Sequence, residues 1–375
     1  MSKQPPLDAE PGNTFGADPH KRTVTASVLD ERGGVLGTQT FRVSGHGHRA
    51  METWALEFGP IARWGIEGAS GIGRHTAMFL CQRGHEVRDV NPNRTAEQAR
   101  HHRKGKTDVL DSVRVARATQ ADPDMPVAFK RAGGEAGPNE THEMMSLWHK
   151  ARRSILTSRQ HLVNEAENLL GDLPEEIRRE LPNTPNVRSR LRGLARRTER
   201  PSDPVTMLRL QLLERHTAAI ADLDAQDREA AKQLRELAER AGSTLHELCG
   251  IAERIEAELL VEVGDPRRFT EGGFARFNGT APLPASSAEG DGEPTRHRLN
   301  RGGNRRVNAC LHRMAITQLR CEPRARKIYN DARAAGHTKK EAMRILKRQL
   351  SNLVHRRMIK DVQAHRTPQL TTRLT

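Results

Sequence analysis

The chain has 375 residues, of which 35% are hydrophobic and 29% charged, and carries a formal net charge of +15. That length supports two or three domains with cores of their own. No apolar run approaches the roughly 20 residues a membrane span needs, MSKQPPLDAEPGNT lacks a signal-peptide core, and Cys81, Cys249, Cys310 and Cys321 form no CxxC pair, so they read as reduced cytoplasmic thiols and not as a disulfide framework or zinc site.

In chain order, residues 1–14 are Pro-, Gly- and polar-rich and read as a disordered N-terminus. Residues 15–125 read as an α/β domain. TFGAD opens it, RTVTASVL and VLGTQTFRV alternate around a DERGG turn as a hairpin, and residues 47–60 are helical. RWGIEG is a short strand, GIGRHTAMFLCQRG a helix closed by Gly84, HEVRDVNP a strand, and TDVLDSVRVARATQ a helix with Thr107 as N-cap. The Pro/Gly-rich stretch 123–138 reads as a linker. Residues 126–245 form a helical arm of two long amphipathic helices, joined by the Pro-broken stretch 173–204 and expected to pair as a coiled coil. Residues 246–360 form a third, mainly helical unit, and 361–375 a tail. The expected fold class is therefore α/β plus α: a mixed-sheet domain, a long helical arm and a mainly helical C-terminal domain.

The basic charge is concentrated. Residues 291–375 hold 21 Lys and Arg against 6 Asp and Glu, which accounts for the whole net charge. Charge gathered in one segment is the footprint of a polyanion. Only 12 of the 62 basic residues are lysine, and the arginine fork suits bidentate phosphate contact. RHRLNRGGNRR, a Gly-hinged basic loop, supplies Arg296, Arg298, Arg301, Arg305 and Arg306 as phosphate-binding candidates, with Lys104 and Lys106 upstream. Aromatics are only 3%, so base stacking cannot dominate recognition.

Four carboxylates stand out by context. Asp18 follows a short strand, Glu67 ends another, and Asp108 and Asp111 share one face of a helix start. Strand ends and helix starts gather at one edge of an α/β sheet, where converging carboxylates repel unless divalent cations lie between them. Hard oxygen donors suit Mg²⁺ or Mn²⁺, and two such ions can clamp the oxygens of a phosphodiester displacement.

GADPHK, WGIEGASG, and VNPNR with KGKTDVLDSVRVA resemble the N-terminal half of the DEDD transposases of the insertion-sequence-110 family. VEVGDPRRFTEGGFARFNGTAP, the loop PASSAEG, RLNRGGNRRVNACLHRMA and the final basic helix resemble its C-terminal half. The first motif reads GADPHK, where the family more often has an apolar-Gly-Ile-Asp-Val-Ser/Ala-Lys run. The resemblance implies an RNase H-like (RuvC-like) N-terminal domain and a C-terminal serine transposase domain. Its four acids fall on Asp18, Glu67, Asp108 and Asp111. Its nucleophilic serine falls on Ser287, with Ser286 the one-residue alternative, after Phe277, Gly279 and Pro282. It further implies covalent phosphoserine chemistry in DNA transposition and recombination, a metal at the carboxylates, a guide RNA encoded by the element, and homo-oligomers, dimeric or tetrameric. A bacterial cytoplasmic, nucleoid-associated protein without a membrane partner is expected.

GASGIGRHTAMFLCQRGHEV imitates a dinucleotide-binding fingerprint. Its glycine spacing is one residue short of the dehydrogenase pattern, it lies about 50 residues into its domain, and Tyr329 is followed four residues later by Arg333 and not lysine. Two other readings stay open: a metal-dependent junction nuclease that needs no serine, and a nucleic-acid-binding relic without catalysis.

Overall fold

The protein is represented by a computed structural model that describes residues 12–90, 108–122, 125–131, 139–199, 201–284, 297–298 and 303–371. It divides into two compact units, one of Met1–Glu140 with Val263–Phe277, the other of Thr141–Glu262 with Asn278–Thr375.

The first unit is built on a five-stranded mixed sheet of order β3-β2-β1-β4-β5. The strands are β1 (Asn13–Pro19), β2 (Thr23–Leu29), β3 (Val35–Arg42), β4 (Ile61–Glu67) and β5 (Val87–Val90). The first three form an antiparallel meander, and β4 and β5 add in parallel beside β1. The sheet carries α1 (Gly45–Leu56), α2 (Arg74–Gln82) and α3 (Asp108–Ala121). This mixed topology fits the RNase H-like expectation, and the expected alternation of elements holds along the domain. The strand opens two residues earlier than expected, at Asn13, because Asn13 is tied to the end of the α1 segment: its N–H donates to the Pro60 carbonyl at 2.8 Å and its side-chain amide to the Phe58 carbonyl at 2.7 Å.

Period-two alternation sorts the two central strands. Phe15, Ala17, Trp64 and Ile66 point to one face and join Met51 and Ala55 of α1 in the core. There Phe15 stacks on Trp64 with ring centroids 4.6 Å apart. Gly16 and Gly65 lie on the other face, under α3. A Cβ at Gly16 would meet the Ala116 backbone nitrogen at 2.1 Å and the Ser112 carbonyl oxygen at 2.4 Å. One at Gly65 would meet Thr119 Oγ1 at 1.8 Å. Helix α3 therefore rests on sheet backbone, locked by a 2.7 Å hydroxyl contact between Ser27 and Ser112 and by Gln120 donating to the Asp30 carbonyl at 2.7 Å.

Part of the stretch read as a linker is core. Met125, Ala128 and Phe129 are buried, and Val127 bridges to Arg88. Their apolar side chains cover the sheet edge beyond β5, which a solvated linker would leave bare. The segment Val263–Phe277 also belongs to this unit. Its Arg268 lies 4.3 Å over the Phe269 ring and 5.5 Å over that of Phe277 and donates to the Val263 carbonyl. Burial pushes this guanidinium down to about 10, against the opposing pull of Asp89 and Asp265.

The second unit contains the two long helices, α4 (Glu140–Gly171) and α7 (Pro204–Arg240), connected through the short helices α5 (Glu175–Glu180) and α6 (Val187–Leu194). They run antiparallel: Arg152 pairs with Asp227 at 2.7 Å, Arg159 with Asp224 at 2.6 Å, and Glu165 with His216 at 3.1 Å. Ala166, Leu170, Leu213 and Ile220 pack between them, with Ile177 and Leu191 closing the end. Helices α8 (Glu253–Val263), α10 (Arg305–Cys321), α11 (Pro323–Ala334) and α12 (Lys339–Thr371) follow, while α9 (Glu271–Phe277) lies in the segment that belongs to the first unit. The expected tail from residue 361 is instead helical to Thr371. Asp361 is buried and accepts from the Thr244 backbone at 2.9 Å and its hydroxyl at 2.6 Å, so α12 continues across what the sequence offers as a terminus. Among the described residues no helix is long and apolar enough to cross a membrane.

The backbone contact under α3 gives a direct test. Gly16→Val is expected to expel α3 from the sheet and to cost at least the ~1–3 kcal/mol of ordinary overpacking, measured as a lower urea midpoint. Gly171→Ala, where no atom lies within 4 Å of an added Cβ, is the control expected to leave it unchanged.

Candidate active site

The strand alternation that buries Phe15 and Trp64 puts Asp18 and Glu67 on the α3 face. Gly16 pairs with Gly65 and Ala17 with Ile66, so the two acids follow at the ends of adjacent parallel strands. The close seating of α3 brings its first residue, Asp108, to the same edge. His20 lies between the two aspartates, its Nε2 3.5 Å from Asp18 Oδ2 and 3.4 Å from Asp108 Oδ1. Asp18 is mostly buried at 14% side-chain exposure, whereas Asp108 is open at 62%. Donor atoms of Asp18, His20 and Asp108 all lie within 4.8 Å of one another. Two carboxylates and an imidazole at this separation can accept a divalent cation.

The structure treats the four predicted acids differently. Asp18 and Asp108 converge. Glu67 stands at the same strand edge by register. Asp111, although it shares the helix start, is held by Arg114 at 2.6 Å, and both partners are largely buried. His20 was not singled out by the sequence reading. Its signal was the GADPHK motif itself, with histidine where the family has Ser or Ala.

The glycine-rich stretch after β4 shapes this edge. Gly68 takes φ +61, the left-handed region that favours glycine. Its carbonyl accepts from Gly71 and Gly73. A Cβ at Gly73 would press on Pro19 at 2.9 Å and on the Ile66 side chain at 2.6 Å. Asp89 accepts from the Ala69 N–H at 3.0 Å and fixes the turn from β5. The glycines thus let the turn lie against the residue that separates Asp18 from His20, which gives them a packing role.

The second candidate region lies in the other unit. Ser286 and Ser287 fall outside the described residues, as do Lys104, Lys106, Arg296 and Arg301, and of Arg298 only the backbone is described. The flanks of the serine stretch are ordered. Leu283–Pro284 pairs antiparallel with His297–Arg298. Behind this ladder, a Cβ at Gly303 would meet the Gly279 nitrogen at 2.3 Å, so the two ends of the loop touch backbone to backbone. Asn278 is fully buried. Its amide donates to Ser351 Oγ at 2.8 Å, its side-chain oxygen accepts from Thr280, and its carbonyl accepts from the Asn308 amide at 2.7 Å. Lys347 donates to Asn308 Oδ1 at 2.5 Å, and burial pushes its ammonium below the ordinary lysine value. None of these anchors was legible as functional in sequence, since each is an isolated polar residue until the fold brings them together.

The basic candidates that are described separate by role. Arg306 pairs with Glu262 at 2.6 Å, and Glu262 also accepts from Asn304, the N-cap of α10. Arg305 is exposed, as are Arg320, Arg324, Arg326, Lys339 and Lys340 farther along, so the last three helices present cations to solvent.

Comparison with known families gives two matches. A DEDD transposase model of the IS110 type matches residues 15–173, and the model described as Transposase IS116/IS110/IS902 family matches residues 242–330. No curated protein matches the chain.

Asn278→Ala is expected to leave the Ser351 hydroxyl and the Thr280 N–H without their buried partner. Stability should fall by ~1–3 kcal/mol, read from denaturant unfolding, while Asn278→Asp should lose less.

Proposed function

Because the chain belongs to the IS116/IS110/IS902 family of transposases, as matches to both its halves show, we propose that it cuts and rejoins DNA with the hydroxyl of Ser287, assisted by the carboxylate cluster of the sheet domain. The observation that carries the reading is the convergence of Asp18 and Asp108, 90 positions apart, on one edge of the sheet around His20. An edge that gathers acids in a strongly basic, DNA-transposing protein has a use for them beyond stability, since close carboxylates cost energy without a cation.

Asp18, Glu67 and Asp108 would hold Mg²⁺ or Mn²⁺, with His20 as a further donor and Asp111 placed by Arg114 beside them. A bound divalent ion supplies charge neutralisation at phosphodiester oxygens. The serine hydroxyl attacks phosphorus, a phosphoserine bond forms, and one DNA end leaves with its hydroxyl. A second DNA hydroxyl then displaces the serine and restores it. Arg305 and the exposed cations of the C-terminal helices bind phosphates. The low aromatic content and the concentration of positive charge support recognition by phosphate contact and shape, with sequence choice delegated to an element-encoded RNA. The antiparallel helical pair serves as a coiled-coil arm that sets the spacing of protomers in a homo-oligomer.

Two measurements test this. In calorimetry with Mn²⁺, binding to the full chain is expected, and Asp18→Ala should weaken it by at least on the order of tenfold; unchanged binding would remove the metal from this edge. Ser287→Ala should abolish a denaturant-resistant protein–DNA adduct while leaving DNA binding intact. Retention of the adduct would move the nucleophile to Ser286 or elsewhere, and cleavage without any adduct would favour the junction-nuclease reading.

A further inference from the structure

The four cysteines divide into two kinds. Cys81 and Cys310 are buried, and burial pushes the Cys310 thiol up to about 12. Cys249 and Cys321 are exposed, lie 72 residues apart in the sequence, and bring their Sγ atoms within 2.7 Å. Both belong to the second unit.

The pair is held from both sides by one helix. Cys249 precedes Gly250, whose φ of +87 lets the chain turn against α10, where an added Cβ would meet the Met314 carbonyl oxygen at 3.0 Å. The carbonyl of Cys249 accepts from the buried Gln318 amide at 2.8 Å. Cys321 is the last residue of α10, and its thiol donates to the Thr317 carbonyl at 3.2 Å. The loop around residue 249 and the end of α10 are thus docked on each other by contacts that do not involve sulfur. A pair of surface thiols placed in this way has no packing role to justify it, since neither sulfur is buried.

We propose that Cys249 and Cys321 form a redox-sensitive dithiol that a hydroperoxide closes into an intramolecular disulfide. Paired cytoplasmic thiols of this kind are redox-sensing more often than structural. The Cys321 sulfur attacks the distal oxygen of the hydroperoxide, the O–O bond breaks, and the alcohol leaves with the thiol proton, so that Cys321 becomes a sulfenic acid. The Cys249 sulfur then attacks the Cys321 sulfur, the S–O bond breaks, and water leaves with the Cys249 proton. Two thiols are oxidised, and one hydroperoxide is reduced to alcohol and water. The hydrogen bond with Cys321, with burial adding to it, pushes the Cys249 thiol up to about 11. The new bond ties the start of the second family-matched stretch to the end of α10, enclosing α8, α9 and the serine-bearing segment in one covalent loop. It restrains the unfolded chain and so stabilises the unit.

The test uses the full chain treated with hydrogen peroxide and then reversed with dithiothreitol. Before oxidation, a thiol reagent should label two cysteines natively and four after denaturation. After oxidation, native labelling should vanish, the intact mass should fall by two hydrogens, peptide mapping should recover one Cys249–Cys321 link, and Tm should rise by several degrees. Cys249→Ser should abolish the link and the Tm rise while leaving Cys321 labelled or singly oxidised. Sulfinic acid at either cysteine in the wild type without a link, bonds between molecules in place of the internal one, or native thiols that persist where the Cys249→Ser protein is oxidised at Cys321 would each overturn the proposal. The readout does not involve DNA or activity, so it stands or falls independently of the proposed nucleophile.

Discussion

The sheet domain depends on the bare backbone contact between α3 and the two central strands. Gly16 and Gly65 leave no side chain where α3 crosses, and Ser112, Ala116 and Thr119 fill the space instead. The contact lowers the helix onto the sheet until its first residue reaches the strand ends. Larger residues at either glycine would lift α3 away and carry Asp108 with it. The position of Asp108 at this edge is therefore set by two residues that have no side chain.

From that contact the electrostatics of the edge follow. Asp18 is mostly shielded and Asp108 open, with His20 between them. Asp111, one turn into α3, is already compensated by the buried Arg114. A buried carboxylate with an arginine partner is satisfied without an ion, whereas Asp18 and Asp108 share the single imidazole of His20, whose Nε2 lies 3.5 and 3.4 Å from them. The cluster is consequently uneven: Asp111 is paired with an arginine, and Asp18 and Asp108 converge on a histidine.

The second unit uses a different device to hold its serine-bearing stretch. Its serine-bearing stretch is anchored at both ends, by a two-residue ladder and by the Gly279–Gly303 contact, over a buried network of Asn278, Asn308, Lys347 and Ser351. Each member of that network is a polar group that would be costly if left unpaired. The anchors therefore fix where the stretch between Pro284 and His297 begins and ends.

Much of this was legible in the residues themselves. Strand alternation in TVTASVL, the turn at Gly33 and the helical spacing of α4 and α7 are local signals, and they led to the correct order of elements in the sheet domain because backbone geometry repeats over a few residues. The ends of strands β1 and β4 marked Asp18 and Glu67 for the same reason. What the sequence by itself could not determine is which distant groups meet. It offered Met125, Ala128 and Phe129 as linker and residues beyond 360 as tail, because their burial comes from partners far along the chain. It listed Asp108 and Asp111 as equals, and only the fold gave Asp111 to Arg114 and Asp108 to His20. It scattered Cys249 and Cys321 across 72 residues, and only the packing of Gly250 and Gln318 on α10 brought the two sulfurs together. Local propensity is written in neighbouring residues, but pairing across the chain is decided by close packing, which exists only once the whole unit has folded.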